Sequence, residues 1–214
     1  MEQMDCHALL RRARNDKTGK DSASWRSVLF NFMSATHPQR IVIFGTESTG
    51  KTTLAQALAT HFAEPWSPEF VREFWELKAG KITAADLGTI ALGQMANEEH
   101  AAAQAKRAVF LDTDLLTCTI WDDVLFPGEC PPWVRAEAEQ RAQGVALWLL
   151  CDTDIPFVPD PQRCFPDAAS RSTGRQLWRD ALEKRGFPFV EIRGNGEQRN
   201  RLAIEAVNRL FGKD

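Results

Sequence analysis

The segment Gly45–Thr52 constrains the fold of this chain more than any other part of its sequence. It reads GTESTGKT and matches the pattern G-x-x-x-x-G-K-[ST] at every fixed position. The apolar run Ile41–Phe44 comes directly before it, and a helix-forming stretch follows. Gly45 and Gly50 allow the backbone to curl without a Cβ in the way, so that successive N–H groups form a nest for an anion. A buried strand, such a nest and a helix N-terminus in this order predict a phosphate-binding loop.

The chemistry of this loop predicts that the chain binds ATP and Mg²⁺. Lys51 is expected to reach the β and γ phosphates and to act in catalysis there, and the hydroxyl of Thr52 is expected to ligate Mg²⁺. The predicted ATP site consists of the loop and the start of the following helix: Gly45, Glu47, Ser48, Thr49, Gly50, Lys51, Thr52 and Thr53. The sequence leaves open whether ATP or GTP is preferred.

Apolar runs that alternate with helix-forming segments predict the fold class. Such runs are typical of strands that are buried on both faces of a parallel sheet. The predicted strands are Ile41–Phe44, a shorter one near Trp66–Phe70, Ala108–Leu111, Val145–Leu150 and Phe187–Ile192. The alternation predicts an α/β protein, a P-loop NTPase with three α/β/α layers, a mostly parallel five-stranded sheet and a helical lid. Ligands of such a sheet bind at the carboxyl ends of its strands.

Capping residues and helical spacing predict the longer helices. They are Thr52–Phe62, a helix that starts at Thr83 with Asp86 in the capping-box position and runs to Lys106, Trp133–Arg141, and a C-terminal helix whose apolar face includes Ala203, Val207 and Phe211. The sequence shows no internal repeat.

The chain is predicted to have an N-terminal extension, residues 1–39, and a P-loop kinase domain, residues 40–214. The extension is basic and turn-rich, which favours a solvated lead-in. The formal net charge of -3 gives no indication of nucleic acid as a partner, and no apolar run approaches the ~20 residues of a membrane span. Five cysteines without a CxxC pair, and a start without the pattern of a signal peptide, favour the cytoplasm. A small-molecule substrate is therefore the expected partner, and the oligomeric state stays open.

Two carboxylates follow the predicted strand Ala108–Leu111. Asp112 ends this strand, at the place from which a carboxylate holds Mg²⁺ directly or through water, and it is also a candidate catalytic residue. Asp114 shares the same tip and is a candidate substrate contact. The alternative for Asp114 is that it caps the next helix.

Glu69 and Arg72 follow the predicted short strand. In small-molecule P-loop kinases a carboxylate at this place accepts the proton of the attacking hydroxyl, which makes Glu69 a candidate catalytic and substrate-binding residue. Arg72 is a candidate for holding the substrate or a phosphate. The alternative for both residues is the solvated, charged start of a helix.

Residues 157–185 are predicted to form a mobile lid between the third and fourth long strands. The segment begins rich in Pro, Ser and Asp and carries Arg163, Arg171, Arg175 and Arg179. Lid arginines close over ATP and stabilise charge on the transferring phosphoryl group. Arg163 is therefore a candidate catalytic residue, and Arg171 and Arg175 are candidate ATP contacts. The alternative is a basic helix face exposed to water.

With these motifs, residues 40–212 resemble the ribosylnicotinamide kinase domain of NadR-type NAD-biosynthesis proteins. The resemblance rests on the loop and its Thr53-Leu54 continuation, on Glu69–Glu73, on Leu111–Asp114 followed by Leu116–Thr119, and on Pro156–Arg163. It implies that the chain phosphorylates nicotinamide riboside at its 5′-hydroxyl and so forms nicotinamide mononucleotide. It also implies an aromatic side chain stacked on the nicotinamide ring, for which Trp121, Trp75 and Phe74 are the candidates.

Two stretches depart from the pattern of that family. The family usually has Tyr where this chain has Phe70, and Trp-x-x-Asp-Gly-x-Arg where it has Phe157–Arg163. These departures bear on the identity of the substrate more than on the transfer of the phosphoryl group. Three alternatives stay open: a kinase of another nucleoside, nucleotide monophosphate or vitamin-like alcohol, a P-loop regulatory ATPase, and a phosphate-binding protein without catalysis.

Overall fold

The computed structural model describes residues 37–156 and 167–212. Within these ranges five strands form one sheet, and every neighbouring pair is parallel. The strands are β1 Gln39–Phe44, β2 Trp66–Ser67, β3 Ala108–Asp112, β4 Val145–Cys151 and β5 Phe189–Ile192. Their order across the sheet is β2-β3-β1-β4-β5, so the strand that leads into the phosphate-binding loop lies at the centre.

Helices connect consecutive strands within the described part of the chain. They are α1 Lys51–Phe62, α2 Phe70–Leu77, α3 Leu87–Ala102, α4 Leu115–Leu125, α5 Pro132–Ala142, α6 Ala168–Glu183 and α7 Gly196–Leu210, with one 3₁₀ turn, Ala84–Asp86, before α3. A capping box formed by Thr83 and Asp86 starts this turn, at the position that the sequence predicts.

Both faces of the sheet are covered by helices. Neighbouring residues of β1 point to opposite faces, as side chains along a strand do. Ile41 belongs to a fully buried cluster with Leu58 of α1 and Val207 of α7. Val42 belongs to a second cluster on the other face, where Trp178 of α6 is buried. The predicted fold class, a P-loop fold of three α/β/α layers around a parallel five-stranded sheet, is confirmed.

The predicted lid segment, about 157–185, divides into two parts. Residues 157–166 lie outside the described residues, and the remainder forms most of α6. In the second half of α6 the side chains of Trp178 and Leu182 are fully buried in the core. If the whole helix moved away from the sheet, these side chains would become exposed to water. Each exposed large apolar side chain would cost about 1.5–3 kcal/mol. We therefore restrict the lid hypothesis to residues before Trp178.

Three of the predicted boundaries that differ from the structure have a clear local reason. The short strand ends at Ser67 rather than near Phe70, because Pro68 has no N–H for a ladder. Helix α3 ends at Ala102 rather than at Lys106, since the buried Glu64 carboxylate accepts the main-chain N–H groups of Lys106 and Arg107 and holds the turn into β3.

The third difference concerns the last strand, which begins at Phe189 rather than Phe187. The amide of Phe187 donates to the carbonyl of Leu182 at the end of α6, and its ring stacks on Trp148 with 5.8 Å between centroids. Phe187 therefore closes the helix instead of joining the sheet.

The predicted extension, residues 1–39, lies almost wholly outside the described residues and stays a prediction. Among the helices of ranges 37–156 and 167–212, none has both the length and the apolar character that a membrane crossing requires.

Candidate active site

The phosphate-binding loop leaves the carboxyl end of the central strand β1 and curls into the N-terminus of α1. Gly45, Ser48 and Gly50 have φ values of 143°, 56° and 75°, which L side chains rarely adopt. A Cβ on Gly45 would lie 3.0 Å from the carbonyl oxygen of Cys151, so this position has no room for a side chain. Gly50 is the N-cap of α1, and no side chain caps the helix there. The N–H groups of the first turn are therefore available to an anion.

The loop is held by its own side chains as well as by its backbone. The hydroxyl of Thr49 donates to the carbonyl of Thr46 at 2.8 Å, and Nζ of Lys51 donates to the same carbonyl at 2.9 Å. Lys51 thus lies along the curl of the loop, where it can transfer its hydrogen bond to a phosphate oxygen.

A pair of oxygen ligands lies beside the loop at the tip of β3. The hydroxyl of Thr52 donates to Oδ2 of Asp112 at 2.5 Å, although the two residues are 60 positions apart in sequence. Within the described residues, Oδ1 of Asp112 is buried and has no hydrogen-bond partner. Burial raises the pKa of Asp112, while the charges of Lys51 and Arg72 and the bond from Thr52 lower it. A buried carboxylate oxygen without a partner, next to a hydroxyl, is a donor set that fits Mg²⁺.

Glu69 stands at the start of α2, opposite the phosphate-binding loop. It occupies the N-cap position, but its side chain makes no capping hydrogen bond. Burial raises the pKa of Glu69, and the nearby charge of Asp112 raises it further, whereas Lys51 and Arg72 lower it. The carboxylate is therefore close to the charged groups of the loop and free of a structural capping role.

One cavity of about 650 Å³ joins these features. Part of its lining comes from loop and α1 residues: Glu47, Ser48, Thr49, Gly50, Lys51, Thr52 and Thr53. Glu69 and Arg72 line it as well. A further part of the lining is mainly apolar and aromatic: Trp75, Ile82, Leu87, Ile90, Trp121, Leu125 and Phe126. A lining that combines a few polar groups with a broad apolar surface is typical of a site for a small organic ligand.

Comparison with known proteins identifies the family. Residues 40–199 match the family model described as an AAA domain, which is well over half of the chain. The chain belongs to this AAA domain family.

The sequence of the AAA domain is also similar to that of curated relatives. It is 25% identical over 178 residues to the trifunctional NAD biosynthesis/regulator protein NadR of Salmonella typhimurium and 27% identical to that of Escherichia coli. Each alignment covers 81% of this chain and 43% of the relative. The chain thus spans less than half the length of these relatives. The similarity to NadR-type proteins that the motifs indicate is confirmed.

Solved structures of NadR protein share the fold of the AAA domain. A NadR structure in complex with NR superposes with a TM-score of 0.67 at 24% identity, and one in complex with NAD and AMP-PNP with a TM-score of 0.62 at 23% identity. Each superposition covers 82% of this chain and 50% of the NadR chain.

The structure places Asp114 as a helix cap. Its carboxylate accepts the N–H of Thr117 at 3.0 Å and the hydroxyl of the same residue at 3.2 Å, at the N-cap of α4. Burial raises the pKa of Asp114 to about 7, with a further contribution from the charge of Glu98. Asp114 does not line the cavity. This placement favours the capping alternative, and contact with a substrate stays a prediction.

The lid arginines of the AAA domain have different surroundings. Arg171 is buried and donates to the carbonyls of Ser48 and Ile155 at 3.2 and 3.1 Å. Arg175 pairs with Asp152 at 2.9 Å and lies 3.6 Å from Glu191. Neither arginine lines the cavity. Their contact with ATP therefore stays a prediction, and the predicted catalytic residue Arg163 lies outside the described residues.

The candidate stacking residues also differ in placement. Trp75 of α2 and Trp121 of α4 both line the cavity. Trp121 is supported from behind by Trp178, with the rings edge to face at 5.0 Å between centroids. Phe74 does not line the cavity and packs against Phe70 instead, at 5.9 Å between centroids. Trp75 and Trp121 are therefore the better candidates.

Sequence reasoning missed two polar residues that the structure brings to the site. Gln94 of α3 lines the cavity, is only 1% exposed and accepts a hydrogen bond from the N–H of Phe70. Arg199 of α7 is 5% exposed and donates to the carbonyl of Thr49 in the loop at 3.0 Å. In the sequence, both residues are polar and stand at helical positions that face the core. A polar side chain buried in this way requires a partner, and that requirement is the signal that could have indicated them.

Proposed function

We propose that this AAA domain transfers the γ-phosphate of ATP to the 5′-hydroxyl of nicotinamide riboside and forms nicotinamide mononucleotide. The observation that carries the proposal is the cavity that joins the phosphate-binding loop, Glu69 and two tryptophan rings. Similarity to NadR supports the choice of substrate, because the related solved structures hold NR in one case and NAD with AMP-PNP in the other.

The loop supplies the ATP site in this proposal. The N–H groups of the curled backbone and of the first turn of α1 bind phosphate oxygens, and Lys51 adds a positive charge to the β and γ phosphates. Residues Gly45–Thr53 thus hold the nucleotide with its γ-phosphate toward Glu69. Binding of this kind lowers the barrier mainly by positioning and by neutralising charge.

Thr52 and Asp112 are the residues that would hold Mg²⁺. Oδ1 of Asp112, which has no hydrogen-bond partner among the described residues, and the adjacent hydroxyl of Thr52 supply the hard oxygen ligands that this ion prefers. When bound, Mg²⁺ neutralises negative charge on the phosphates.

Glu69 is the proposed general base. The acceptor hydroxyl gives its proton to the Glu69 carboxylate, its oxygen forms the bond to the γ-phosphorus, and the bond from that phosphorus to the bridging oxygen of ADP breaks. Because burial raises the pKa of Glu69, its carboxylate is a stronger base than an ordinary glutamate. Asp112 does not line the cavity, which supports a role at the metal rather than at the hydroxyl.

The apolar and aromatic part of the cavity lining suits a cationic aromatic ring. The pyridinium ring of nicotinamide riboside carries a positive charge, which the π faces of Trp75 and Trp121 attract. Asp122 also lines the cavity and is 6% exposed, so it adds a carboxylate that would attract the cationic ring. A neutral base would gain the stacking but not this attraction.

The test is turnover of nicotinamide riboside with ATP and Mg²⁺, followed by mass spectrometry of nicotinamide mononucleotide. Three proteins are compared: the unaltered chain, Lys51→Ala, and a matched Lys106→Ala variant, which removes an exposed lysine outside the cavity lining. The proposal predicts mononucleotide from the unaltered protein and from Lys106→Ala, and a loss of at least about a hundredfold with Lys51→Ala.

A panel of other nucleosides and small alcohols, run under the same conditions, tests the acceptor. Lys51-dependent phosphorylation of a deoxynucleoside with no mononucleotide would keep the kinase chemistry and reject nicotinamide riboside. ATP hydrolysis that no small acceptor changes would reject the kinase itself.

A further inference from the structure

We propose that Arg199, together with Arg171, is a positioning residue that holds the phosphate-binding loop in its anion-binding shape. Both guanidinium groups donate hydrogen bonds to carbonyls of the loop, and neither arginine lines the cavity. The inference rests on the proposed function in one respect only, since it concerns the same ATP site; it does not depend on the acceptor.

Arg199 connects three loops at the carboxyl end of the sheet. Its Nη1 donates to the carbonyl of Thr49 at 3.0 Å, its Nη2 to the carbonyl of Asp152 at 2.8 Å, and its Nε to the carbonyl of Gly194 at 2.9 Å. These acceptors follow β1, β4 and β5, which are neighbours in the sheet. Nη2 also pairs with the carboxylate of Asp154.

Asp154 balances the charge of Arg199 and fixes its orientation. The carboxylate also accepts the N–H of Gly194 at 2.5 Å. Burial opposes ionisation of Asp154, but this N–H and the Arg199 guanidinium outweigh it and keep the pKa of the carboxyl below its ordinary value. Arg199 is thus held as an ion pair that keeps its remaining donors for main-chain carbonyls.

Arg171 makes the corresponding connection one residue earlier in the loop. Its Nη2 donates to the carbonyl of Ser48 and to the carbonyl of Ile155. Both arginines therefore join a carbonyl of the phosphate-binding loop to the segment after β4. Consecutive loop carbonyls, those of Ser48 and Thr49, are fixed from two helices, α6 and α7.

Fixing these carbonyls also fixes the N–H groups that bind phosphate. In a trans peptide the C=O and the N–H point in opposite directions. The Ser48 carbonyl shares its peptide with the N–H of Thr49, and the Thr49 carbonyl with the N–H of Gly50. Because the two carbonyls point to the arginines, these two N–H groups point the opposite way, toward the cavity. Thr49 and Gly50 both line this cavity.

The backbone of the loop needs such support. Ser48 has a φ of 56°, a conformation that is unfavourable for a residue with a Cβ and persists only where surrounding contacts impose it. An arginine supplies several donors in a fixed plane, which a lysine cannot reproduce. The guanidinium of Arg199 uses this property on three carbonyls at once.

The experiment measures nucleotide affinity by isothermal titration calorimetry in the absence of an acceptor. Three proteins are compared: the unaltered chain, Arg199→Lys, and Arg201→Lys, which alters an exposed arginine on the same helix. The probes are ATP with Mg²⁺ and inorganic tripolyphosphate with Mg²⁺, because the second has no base or sugar. Thermal unfolding of each variant shows whether it is folded.

The proposal predicts that folded Arg199→Lys binds ATP and tripolyphosphate about tenfold more weakly, by the same factor for both probes. Arg201→Lys binds both as the unaltered chain does. Unchanged affinity of folded Arg199→Lys for tripolyphosphate would overturn the proposal, whether or not ATP binding is weakened, because the loop would then keep its shape without Arg199.

A second readout separates positioning from general damage. Where the unaltered chain turns over nicotinamide riboside, Arg199→Lys raises the KM for ATP and leaves the KM for nicotinamide riboside unchanged. An equal rise of both KM values would overturn the proposal in favour of a merely structural role. If the unaltered chain forms no mononucleotide, the acceptor assignment fails while the calorimetric comparison still tests the arginines.

Discussion

The side-chain oxygen Oε1 of Gln94 accepts a hydrogen bond from the main-chain N–H of Phe70 at 3.0 Å. Phe70 is the first residue of α2, so Gln94 satisfies one of the N–H groups that the N-cap side chain of Glu69 leaves unbound. The Nε2 of Gln94 donates in turn to the buried Glu98 at 3.3 Å, which orients the amide. A residue of α3 thus takes the capping role, and the carboxylate of Glu69 remains available to a substrate.

Replacement of Gln94 is expected to impair catalysis through Glu69. In Gln94→Met the N–H of Phe70 loses its buried partner, the start of α2 loosens and kcat falls about tenfold, while the affinity for ATP stays the same. Steady-state kinetics of mononucleotide formation measure this, with Leu92→Met, an exposed change on the same helix, as the control. An unchanged kcat in a folded Gln94→Met variant would show that the cap does not position Glu69.

The pH dependence of kcat is expected to report Glu69. Because burial raises the pKa of this carboxyl and a general base must be ionised, kcat falls as the pH drops through a value above the ordinary ~4.3 of glutamate. Glu69→Gln removes this acid limb and lowers kcat by roughly a hundred- to ten-thousand-fold.

Two further variants test the sign of the electrostatic effects on Glu69. The charge of Arg72 lowers its pKa and that of Glu47 raises it, so the acid limb moves to higher pH in Arg72→Met and to lower pH in Glu47→Gln. Profiles of kcat against pH for the unaltered protein, Arg72→Met and Glu47→Gln measure these shifts. A limb that survives in Glu69→Gln would assign it to another group.

The aromatic wall is expected to determine acceptor affinity. Trp75→Ala raises the KM for nicotinamide riboside roughly tenfold, since stacking on an aromatic ring contributes about 1–3 kcal/mol per base, and leaves the KM for ATP unchanged. Trp75→Phe retains part of the affinity. Phe74→Ala, one residue away and outside the cavity lining, serves as the control. Equal effects of Phe74→Ala and Trp75→Ala on both KM values would argue against stacking.

The stability of the domain is expected to depend on Asp114. Burial raises its pKa to about 7, so the folded state favours the protonated form. The stabilisation of the folded state by protonated Asp114 is complete when the pH lies below the ordinary pKa of aspartate, about 3.9. It is lost as the pH rises through about 7. Asp114→Asn keeps an oxygen that accepts the N–H of Thr117 but has no charge, and its stability should vary less with pH.

Urea unfolding at a series of pH values measures this effect of Asp114. Near about pH 4 the two proteins should be similar, and near about pH 8 Asp114→Asn should be more stable, with a difference on the order of a few kcal/mol. Asp180→Asn, on the surface of α6, controls for the loss of one negative charge. Parallel stability curves for Asp114→Asn and the unaltered chain would contradict the assignment.

The parts of the site that sequence could predict depend on short-range chemistry. The curl of Gly45–Thr52 and the helix that follows it need only neighbouring residues, so their pattern alone indicates a phosphate site. Asp112 could be predicted because it ends a continuous apolar run, and the ends of parallel strands meet at one edge of the sheet. The bond between Thr52 and Asp112 confirms that these two segments come together.

The residues that sequence reasoning missed act over long separations. Arg199 is 150 positions from Thr49, and nothing near either residue indicates their contact. Gln94 follows the helical spacing of the apolar residues Leu87, Ile90 and Ala91, a pattern that indicates a core face rather than a functional site. Helix α4, Leu115–Leu125, is contacted by α3, α5 and α6, so it has apolar residues around much of its surface. The search for a single apolar stripe, which is typical of a surface helix, therefore could not predict it.

A phosphorus NMR time course of ATP and nicotinamide riboside with Mg²⁺ and the purified protein tests the proposed phosphoryl transfer. We expect the resonances of ADP and of a 5′-phosphomonoester to rise at equal rates, and neither to rise with Lys51→Ala. Formation of ADP and inorganic phosphate without a phosphomonoester would contradict transfer to the riboside and identify the domain as an ATPase.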